Sequence, residues 1–238
     1  ELAHRAQDPL GGGLGLAQHQ EGVGEHAVPG EDGQGLAVYL RLLELDADGT
    51  PVWSTFYDTP SDTQAGTDLI RTSDGGSLLV GTVNVSPGIN AGFALKTGPT
   101  GQVDWYRRYF STEEDTRLVA GIGTSSAQAD GFLLVGTQAD GDTLAPNLLL
   151  LSISANGAIN WARTVPDAEA SDVEALNAPA TGALVACRTL GTDTAMAVLC
   201  TDEAGNVLWG KAATATGMGG ANALCTQPGG HVVLAGGL

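Results

Sequence analysis

The sequence predicts an all-β protein built from repeated four-stranded antiparallel units. The first observation behind this prediction is that all four tryptophans share one context, in which Gly precedes Trp by four residues. Successive Trp residues are 52, 56 and 48 positions apart. The four pairs are Gly49 and Trp53, Gly101 and Trp105, Gly157 and Trp161, and Gly205 and Trp209. Self-similarity at a nearly fixed period is the signature of a repeat architecture.

The second observation is that each Gly-Trp pair lies in a predicted β-hairpin. Apolar and polar residues alternate before each Gly, as they do from Leu36 to Leu45, and such alternation indicates a strand with one buried face. Glycine supplies the positive φ that a tight hairpin turn needs. The Trp lies on the next strand, where we expect it to be mostly buried against a neighbouring sheet. The four pairs are therefore predicted to be structural residues of the repeat.

The third observation is a second hairpin after each Trp. In the first unit, Thr67 to Thr72 is followed by the turn Asp74-Gly75-Gly76 and then by Ser77 to Gly81. The corresponding turns are Asp130-Gly131, Thr181-Gly182 and Gly229-Gly230. Each unit thus holds four short strands, which is the pattern of a β-propeller blade. One such sheet buries both faces only against neighbouring sheets, so we expect at least four blades.

The predicted repeats form a single domain over residues 36–238, and residues 1–35 form an irregular N-terminal piece. Within that piece, Leu10 to Ala17 fits the inner hairpin of a preceding blade. Two arrangements remain open at this stage: the last inner hairpin joins the first outer hairpin to close a four-bladed ring, or the chain is part of a larger, truncated ring. The chain begins at Glu1 without an initiator Met and stops within an apolar run, so we expect a piece of a longer protein.

The chain is strongly acidic. It has 27 Asp and Glu against 10 Lys and Arg, and its formal net charge is −17. This charge repels phosphate backbones and anionic lipid, so we expect no nucleic-acid partner. No apolar run approaches the roughly 20 residues of a transmembrane helix, so we expect no insertion into a membrane. A hydrophobic content of 42% is typical of a chain that forms a core.

The repeat resembles the blades of secreted bacterial and archaeal β-propellers of the quinoprotein-like or WD-repeat-like kind. The pattern Leu45-Asp46-x-x-Gly49-x-x-x-Trp53 carries the resemblance, together with the hairpin from Thr72 to Gly81. It extends from about Gly35 to the C-terminus and weakens where Thr181 and Pro228 replace the Asp of the Asp-Gly turn. The resemblance implies a propeller fold and an extracellular or cell-surface location. It implies no reaction.

Acidic residues recur in the predicted loops between each outer strand and the next inner strand. The candidate binding rim consists of Asp62, Glu114, Asp115 and Asp172. Corresponding loops of a propeller meet on one face around the channel mouth, so we expect these carboxylates to converge on a cation or a cationic ligand. The fourth such loop, residues 215–220, carries no acid, and the alternative is ordinary solvated surface.

No cofactor is expected, with calcium as the one candidate. The turn Asp46-Ala47-Asp48-Gly49 has the paired carboxylates that calcium favours, but the three equivalent turns lack them, and a plain hairpin turn is the simpler interpretation. The three cysteines are Cys187, Cys200 and Cys225. All lie in apolar strands, so we expect buried free thiols, with a Cys187–Cys200 disulfide as the alternative.

These observations favour a non-catalytic module of a secreted or surface protein, which presents loops to protein or glycan partners. Open blade edges also allow self-association. The main alternative is a carbohydrate-active hydrolase or lyase with acid and base drawn from the candidate rim. The sequence supplies the carboxylates for such an enzyme but no aromatic platform, since aromatic residues are only 5% and the four Trp belong to the repeat. A quinone-dependent dehydrogenase is a third alternative, for which no residue pattern is found.

Overall fold

The computed structural model describes residues 17–20, 40–57, 64–86, 88–111, 114–125, 130–140, 146–175, 182–190, 195–213, 219–228 and 230–237. The fold is all-β and consists of antiparallel strands. In chain order the strands are β1 (Ala17–Gln20), β2 (Leu40–Leu45), β3 (Pro51–Tyr57), β4 (Gln64–Arg71), β5 (Ser77–Ser86), β6 (Ile89–Thr97), β7 (Val103–Phe110), β8 (Glu114–Ser125), β9 (Asp130–Asp140), β10 (Pro146–Ser154), β11 (Ile159–Val165), β12 (Ala168–Ala175), β13 (Ala183–Thr189), β14 (Ala195–Thr201), β15 (Val207–Ala213), β16 (Ala221–Gln227) and β17 (His231–Gly236).

Three sheets each contain four antiparallel strands, which are the inner hairpin after one Trp and the outer hairpin that carries the next Trp. The first sheet is β4 to β7, the second is β8 to β11 and the third is β12 to β15. Two shorter sheets flank them: the N-terminal hairpin β2–β3 and the C-terminal hairpin β16–β17. The predicted four-stranded antiparallel units are thus confirmed. The described residues do not form a closed ring, because these two hairpins remain separate sheets.

The N-terminal piece of residues 1–35 lies mostly outside the described residues. Its one described element, β1, pairs with the outer edge of β7, with Ala17 opposite Phe110. The first sheet therefore has five strands. Of Leu10 to Ala17, which were expected to form the inner hairpin of a preceding blade, residues 10–16 are not described, and Ala17 begins β1. Within the described residues, no helix has the length and apolar character needed to cross a membrane.

The four outer turns have one geometry. In the first, the Gly49 amide donates to the Asp46 carbonyl oxygen at 3.0 Å, and each other turn makes the same bond. Gly49, Gly101, Gly157 and Gly205 all have φ between +75° and +81°. The bulge beside each turn also recurs at the same position. Glycine is needed at these positions because a side chain with this φ would be strained.

Three of the four tryptophans pack on the turn glycine of the next unit. A Cβ added to Gly101 would lie 2.7 Å from the Trp53 ring, and one added to Gly157 would lie 2.9 Å from the Trp105 ring. Trp161 covers Gly205 in the same way. The glycine therefore gives both the turn geometry and the room for the ring. This confirms the predicted packing of three tryptophans on the following sheet.

The expected burial of the tryptophans is wrong for the last of them. Trp53, Trp105 and Trp161 are half-buried, whereas Trp209 is exposed. The exposure of Trp209 follows from what lies next to it. Trp209 is on β15, and the described residues after it form only the inner hairpin β16–β17, which has no outer turn for the ring to pack on.

Apolar side chains fill the spaces between successive sheets. Leu78 and Val80 of the first sheet pack against Leu134 and Leu151 of the second. A similar cluster lies between the second and third sheets. The N-terminal hairpin packs on the first sheet, and the C-terminal hairpin packs on the third. The core is therefore a series of layers, and the second sheet is buried on both faces.

Candidate functional site

The structure describes three of the four residues of the candidate rim. Glu114 and Asp115 begin β8, and Asp172 lies inside β12. Asp62 lies outside the described residues. The expectation that Glu114, Asp115 and Asp172 lie in loops is wrong, because the inner strands start earlier than the sequence pattern suggested. Asp115 and Asp172 also occupy different levels of their strands: Asp115 is at the start of β8, while Asp172 is beside the central bulge of β12.

Asp172 links two units through backbone amides. Its Oδ1 accepts from the Val173 amide and its Oδ2 from the Leu224 amide, both at 2.8 Å. Asp68 has the same role in the first sheet, two sheets before Asp172. It accepts from the Leu69 amide at 2.8 Å and from the Gly121 amide at 2.9 Å. Both carboxylates satisfy amides at a bulge where the ladder is disrupted. Asp172 thus has a structural role, which it shares with Asp68.

Asp115 joins the second sheet to the first. Its Oδ1 accepts from the backbone amide of Asn90 at 2.8 Å and from the Asn90 side-chain Nδ2 at 2.6 Å. Its Oδ2 pairs with the Arg117 guanidinium at 2.7 Å. The carboxylate is mostly buried and Arg117 is exposed. Asp115 therefore holds the end of the β5–β6 hairpin against the start of β8.

Glu114 lies beside buried polar groups that the sequence analysis did not single out. Its carboxylate accepts from Gln138 Nε2 at 2.6 Å. Gln138 and Thr116 are buried and face each other across β8 and β9. In the part of the chain that the structure describes, Gln138 Oε1 and Thr116 Oγ1 have no hydrogen-bond partner. We call Glu114, Thr116 and Gln138 the β8 polar cluster.

The β8 polar cluster is rich in acceptors. The Glu114 carboxylate and the free amide oxygen of Gln138 accept hydrogen bonds, and the Thr116 hydroxyl can donate or accept. A buried polar group without a partner costs free energy, which a ligand can recover by supplying the missing hydrogen bond. The matching ligand carries several donors, such as sugar hydroxyls or a basic side chain. Sequence reasoning found the two acids through their charge, but nothing in the sequence marked Gln138 and Thr116 as unpaired.

The Asp46 turn uses its carboxylate internally. Asp46 Oδ1 accepts from the Asp48 amide at 3.0 Å and the Thr50 amide at 2.8 Å. Asp202 holds the fourth turn by the same kind of bond to the Asn206 amide. Hydrogen bonds from Asn206 lower the pKa of Asp202 below its usual 3.8. Among the described residues, no three His, Cys, Asp or Glu side chains are grouped so that they could hold a metal ion.

The cysteines are free thiols. Cys187 and Cys200 are buried, as expected, and burial raises the pKa of Cys187 to about 12. Cys225 is exposed, so the expectation of a buried thiol is wrong there. It lies on β16 opposite Val233 of β17, in the hairpin that has no further sheet on its other side among the described residues. Buried structural thiols are inert, whereas an exposed thiol is accessible to reagents. Cys225 is therefore the thiol expected to react with labelling reagents.

No protein-family model matches this chain, and no curated protein matches it. The geometry of the repeat and of the β8 polar cluster is therefore the basis for the functional proposal below.

Proposed function

We propose that this protein is a non-catalytic interaction module, with an extracellular or cell-surface location, which binds protein or glycan partners. The stacked sheets support this role, because apolar clusters fill the spaces between them and the same Trp–Gly contact joins each of the three complete sheets to the unit before it. Such a scaffold holds the strand ends and turns in fixed relative positions. Binding residues are commonly carried on loops and strand ends that a rigid scaffold positions.

The observation that carries the proposal is the β8 polar cluster. Gln138 Oε1 and Thr116 Oγ1 are buried acceptors without partners in the described residues, and they lie next to the carboxylate of Glu114. This arrangement favours a ligand with several hydrogen-bond donors. The net charge of −17 favours a cationic ligand further, because it raises the local concentration of positive partners.

The experiment measures binding of immobilised protein to two probe sets: neutral oligosaccharides and a lysine-rich peptide. We expect one set to bind, and we expect Glu114→Gln and Gln138→Leu each to weaken that binding about tenfold, the effect of losing one charge-assisted hydrogen bond. Asp46→Asn is the matched control, since it removes an exposed acid from a turn outside the cluster. Equal binding by all variants would remove the cluster from the proposal. Release of new reducing ends from the oligosaccharides would favour the glycosidase alternative.

Calcium is tested separately as a ligand of the remaining rim residues. Titration of chelator-treated protein with calcium is compared with the same titration of Asp115→Asn. If Asp115 helps to bind calcium, the wild-type protein should give a heat of binding that Asp115→Asn lacks. Identical weak heats would leave Asp115 with its contacts to Asn90 and Arg117 alone.

A further inference from the structure

The N-terminal hairpin exposes apolar residues that are buried in every complete sheet. Leu43, ten residues before its Trp, is 47% exposed, and Leu45 is 50% exposed. The residues equivalent to Leu43 are all buried: Leu95, Leu151 and Leu199. Those equivalent to Leu45 are buried as well: Thr97, Ile153 and Thr201. Each of the equivalent leucines packs toward the preceding unit, so Leu43 and Leu45 face the position of a preceding sheet.

The C-terminal hairpin exposes the opposite face. Val233 is 42% exposed, although its equivalents Leu78, Leu133 and Leu184 are all buried against the following unit. Cys225, opposite Val233 on β16, is exposed on the same face. At the other end of the molecule, Leu69 of the first sheet is 53% exposed, whereas its equivalent Val173 is buried. Within the described residues, one end therefore has no following neighbour, and the other has no preceding one.

The Trp–Gly contact is interrupted at the same two ends. Trp209 is 38% exposed, and among the described residues no atom lies within 4 Å of a Cβ added to Gly49, where a Trp lies in the other units. The charges are also complementary. Lys211 occupies the position of Arg163, which donates to the Ala204 carbonyl at 2.7 Å and lies near Asp202. Asp46 occupies the position of Asp202 in the turn of Gly49.

We propose that a second copy of this chain docks head to tail on these ends. The C-terminal hairpin of one copy and the N-terminal hairpin of the other form one four-stranded sheet, with β17 beside β2. In each complete sheet the second strand pairs with the third in this way, as β5 pairs with β6. Trp209 of one copy then covers Gly49 of the other, and Lys211 faces Asp46.

The two hairpins supply the two halves of one unit, and the partner is a second copy because the described residues of one chain leave these halves apart, with Leu43 and Val233 exposed. The inner half is β16–β17 and the outer half is β2–β3, and the described residues leave them in separate sheets. The facing edges of β17 and β2 are unpaired within the described part of the chain, and such edges pair readily with another strand. The contact is heterologous, so each copy uses both ends and assembly continues beyond a dimer unless a ring closes.

The existing interfaces identify one residue pair across the proposed contact. Ile70 of the first sheet packs at Gly121 of the second, where an added Cβ would lie 2.7 Å from Ile70 Cδ1. Cys225 occupies the position of Ile70, and Leu69 occupies the position of Gly121. Cys225 of one copy therefore lies against Leu69 of the other. This inference does not depend on the proposed binding function.

The first test uses Leu69→Cys in the full chain, treated with a thiol oxidant. We expect a ladder of disulfide-linked multimers on non-reducing gels, with Cys225 as the linking residue, and its loss when Cys225→Ser is added. Asn160→Cys, an exposed strand position in the second sheet, is the matched control and should give at least tenfold less product. A disulfide that joins the introduced thiol to Cys225 within one monomer would overturn the proposal, since it would show closure within one chain.

The second test uses two variants that each block one end, Leu43→Glu and Val233→Glu, in sedimentation experiments over a range of concentrations. Wild-type protein should form multimers as its concentration rises, and each variant alone should remain monomeric. An equimolar mixture of the two should form a dimer and nothing larger, because one intact head and one intact tail remain. Wild-type protein that stays monomeric throughout, or a mixture that does not dimerise, would overturn the proposal. Circular dichroism spectra that match wild type serve as the control that both variants are folded.

Discussion

Trp105 and Trp209 occupy the same position in two units but have different surroundings. Trp105 is half-buried on Gly157, and its indole nitrogen donates to the Ala155 carbonyl at 3.0 Å. Trp209 is exposed, and its ring covers no glycine within the described residues. The two residues have the same local sequence pattern, and each lies on the outermost strand of its four-strand unit, β7 for Trp105 and β15 for Trp209. The difference teaches that the burial of each Trp is set by the following unit.

The largest expected effect separates these two tryptophans. Trp105→Ala should lower the free energy of unfolding by about 3 kcal/mol, because it removes a large packed ring and one hydrogen bond. Trp209→Ala should cost about 1 kcal/mol or less at concentrations where the chain is monomeric, since exposed side chains contribute little. Chemical denaturation measures both values. Equal losses would show that the exposed Trp209 has a partner that the described residues do not include.

The next effect separates two turn glycines with the same φ of +81°, Gly49 and Gly101. Gly49→Ala has open space and should cost about 1 kcal/mol for the left-handed backbone alone. Gly101→Ala adds a clash with the Trp53 ring and should cost about 1–3 kcal/mol more. Thermal or urea unfolding of the pair isolates the clash, because the backbone strain is common to both. A difference near zero would mean that the ring moves aside freely.

A smaller effect concerns the hydroxyls that support the covered turns. Tyr57 donates to the Gly101 carbonyl at 2.6 Å, and Tyr109 donates to the Gly157 carbonyl at 2.9 Å. Val165 takes this position in the second sheet and has no hydroxyl. Tyr57→Phe and Tyr109→Phe should each cost about 1 kcal/mol, the value of one buried hydrogen bond. Unchanged unfolding midpoints for both variants would show that the ring contacts alone hold these turns.

The smallest effect is a pH dependence of stability that arises at the inner turn of the first sheet. Buried Lys96 bonds to Asp74 at 2.8 Å and, with the turn donors, holds the pKa of Asp74 well below its usual 3.8. Because the folded-state pKa is lowered, this stabilisation is present above about pH 4 and decreases as the pH falls. Asp74→Asn should reduce the loss of stability between pH 5 and pH 2, measured by unfolding at each pH. The same slope in Asp74→Asn and wild type would assign the acid sensitivity to other carboxylates.

The sequence analysis predicted the units well because the repeat is local. The Gly-x-x-x-Trp spacing identified the outer turns, and alternation identified the strands on both sides of them. The inner strands were harder to place, since their bulges interrupt the alternation at Asp68 and Asp172. For that reason Asp172 was assigned to a loop, although it is a strand residue.

The contacts of the candidate site could not be predicted from residue type. A carboxylate that accepts from backbone amides, such as Asp172, has the same sequence signal as a solvated one. The exposure of Cys225 and Trp209 depends on whether another sheet lies beside them, and a repeat pattern gives the same expectation for internal and terminal units. The unpaired oxygens of Gln138 and Thr116 depend on the register between β8 and β9.

The contacts between units also set the order in which a newly made chain can acquire structure. Trp105 bonds to Ala155, 50 residues later, and Thr67 bonds to Leu118, 51 residues later. As the chain leaves the ribosome, each unit must therefore wait for about one more repeat before its tryptophan is covered. Folding trails synthesis by one unit, and the apolar surface that awaits the next unit belongs to the most recent repeat. An array of this design can lengthen without enlarging the portion of the nascent chain that is vulnerable to aggregation.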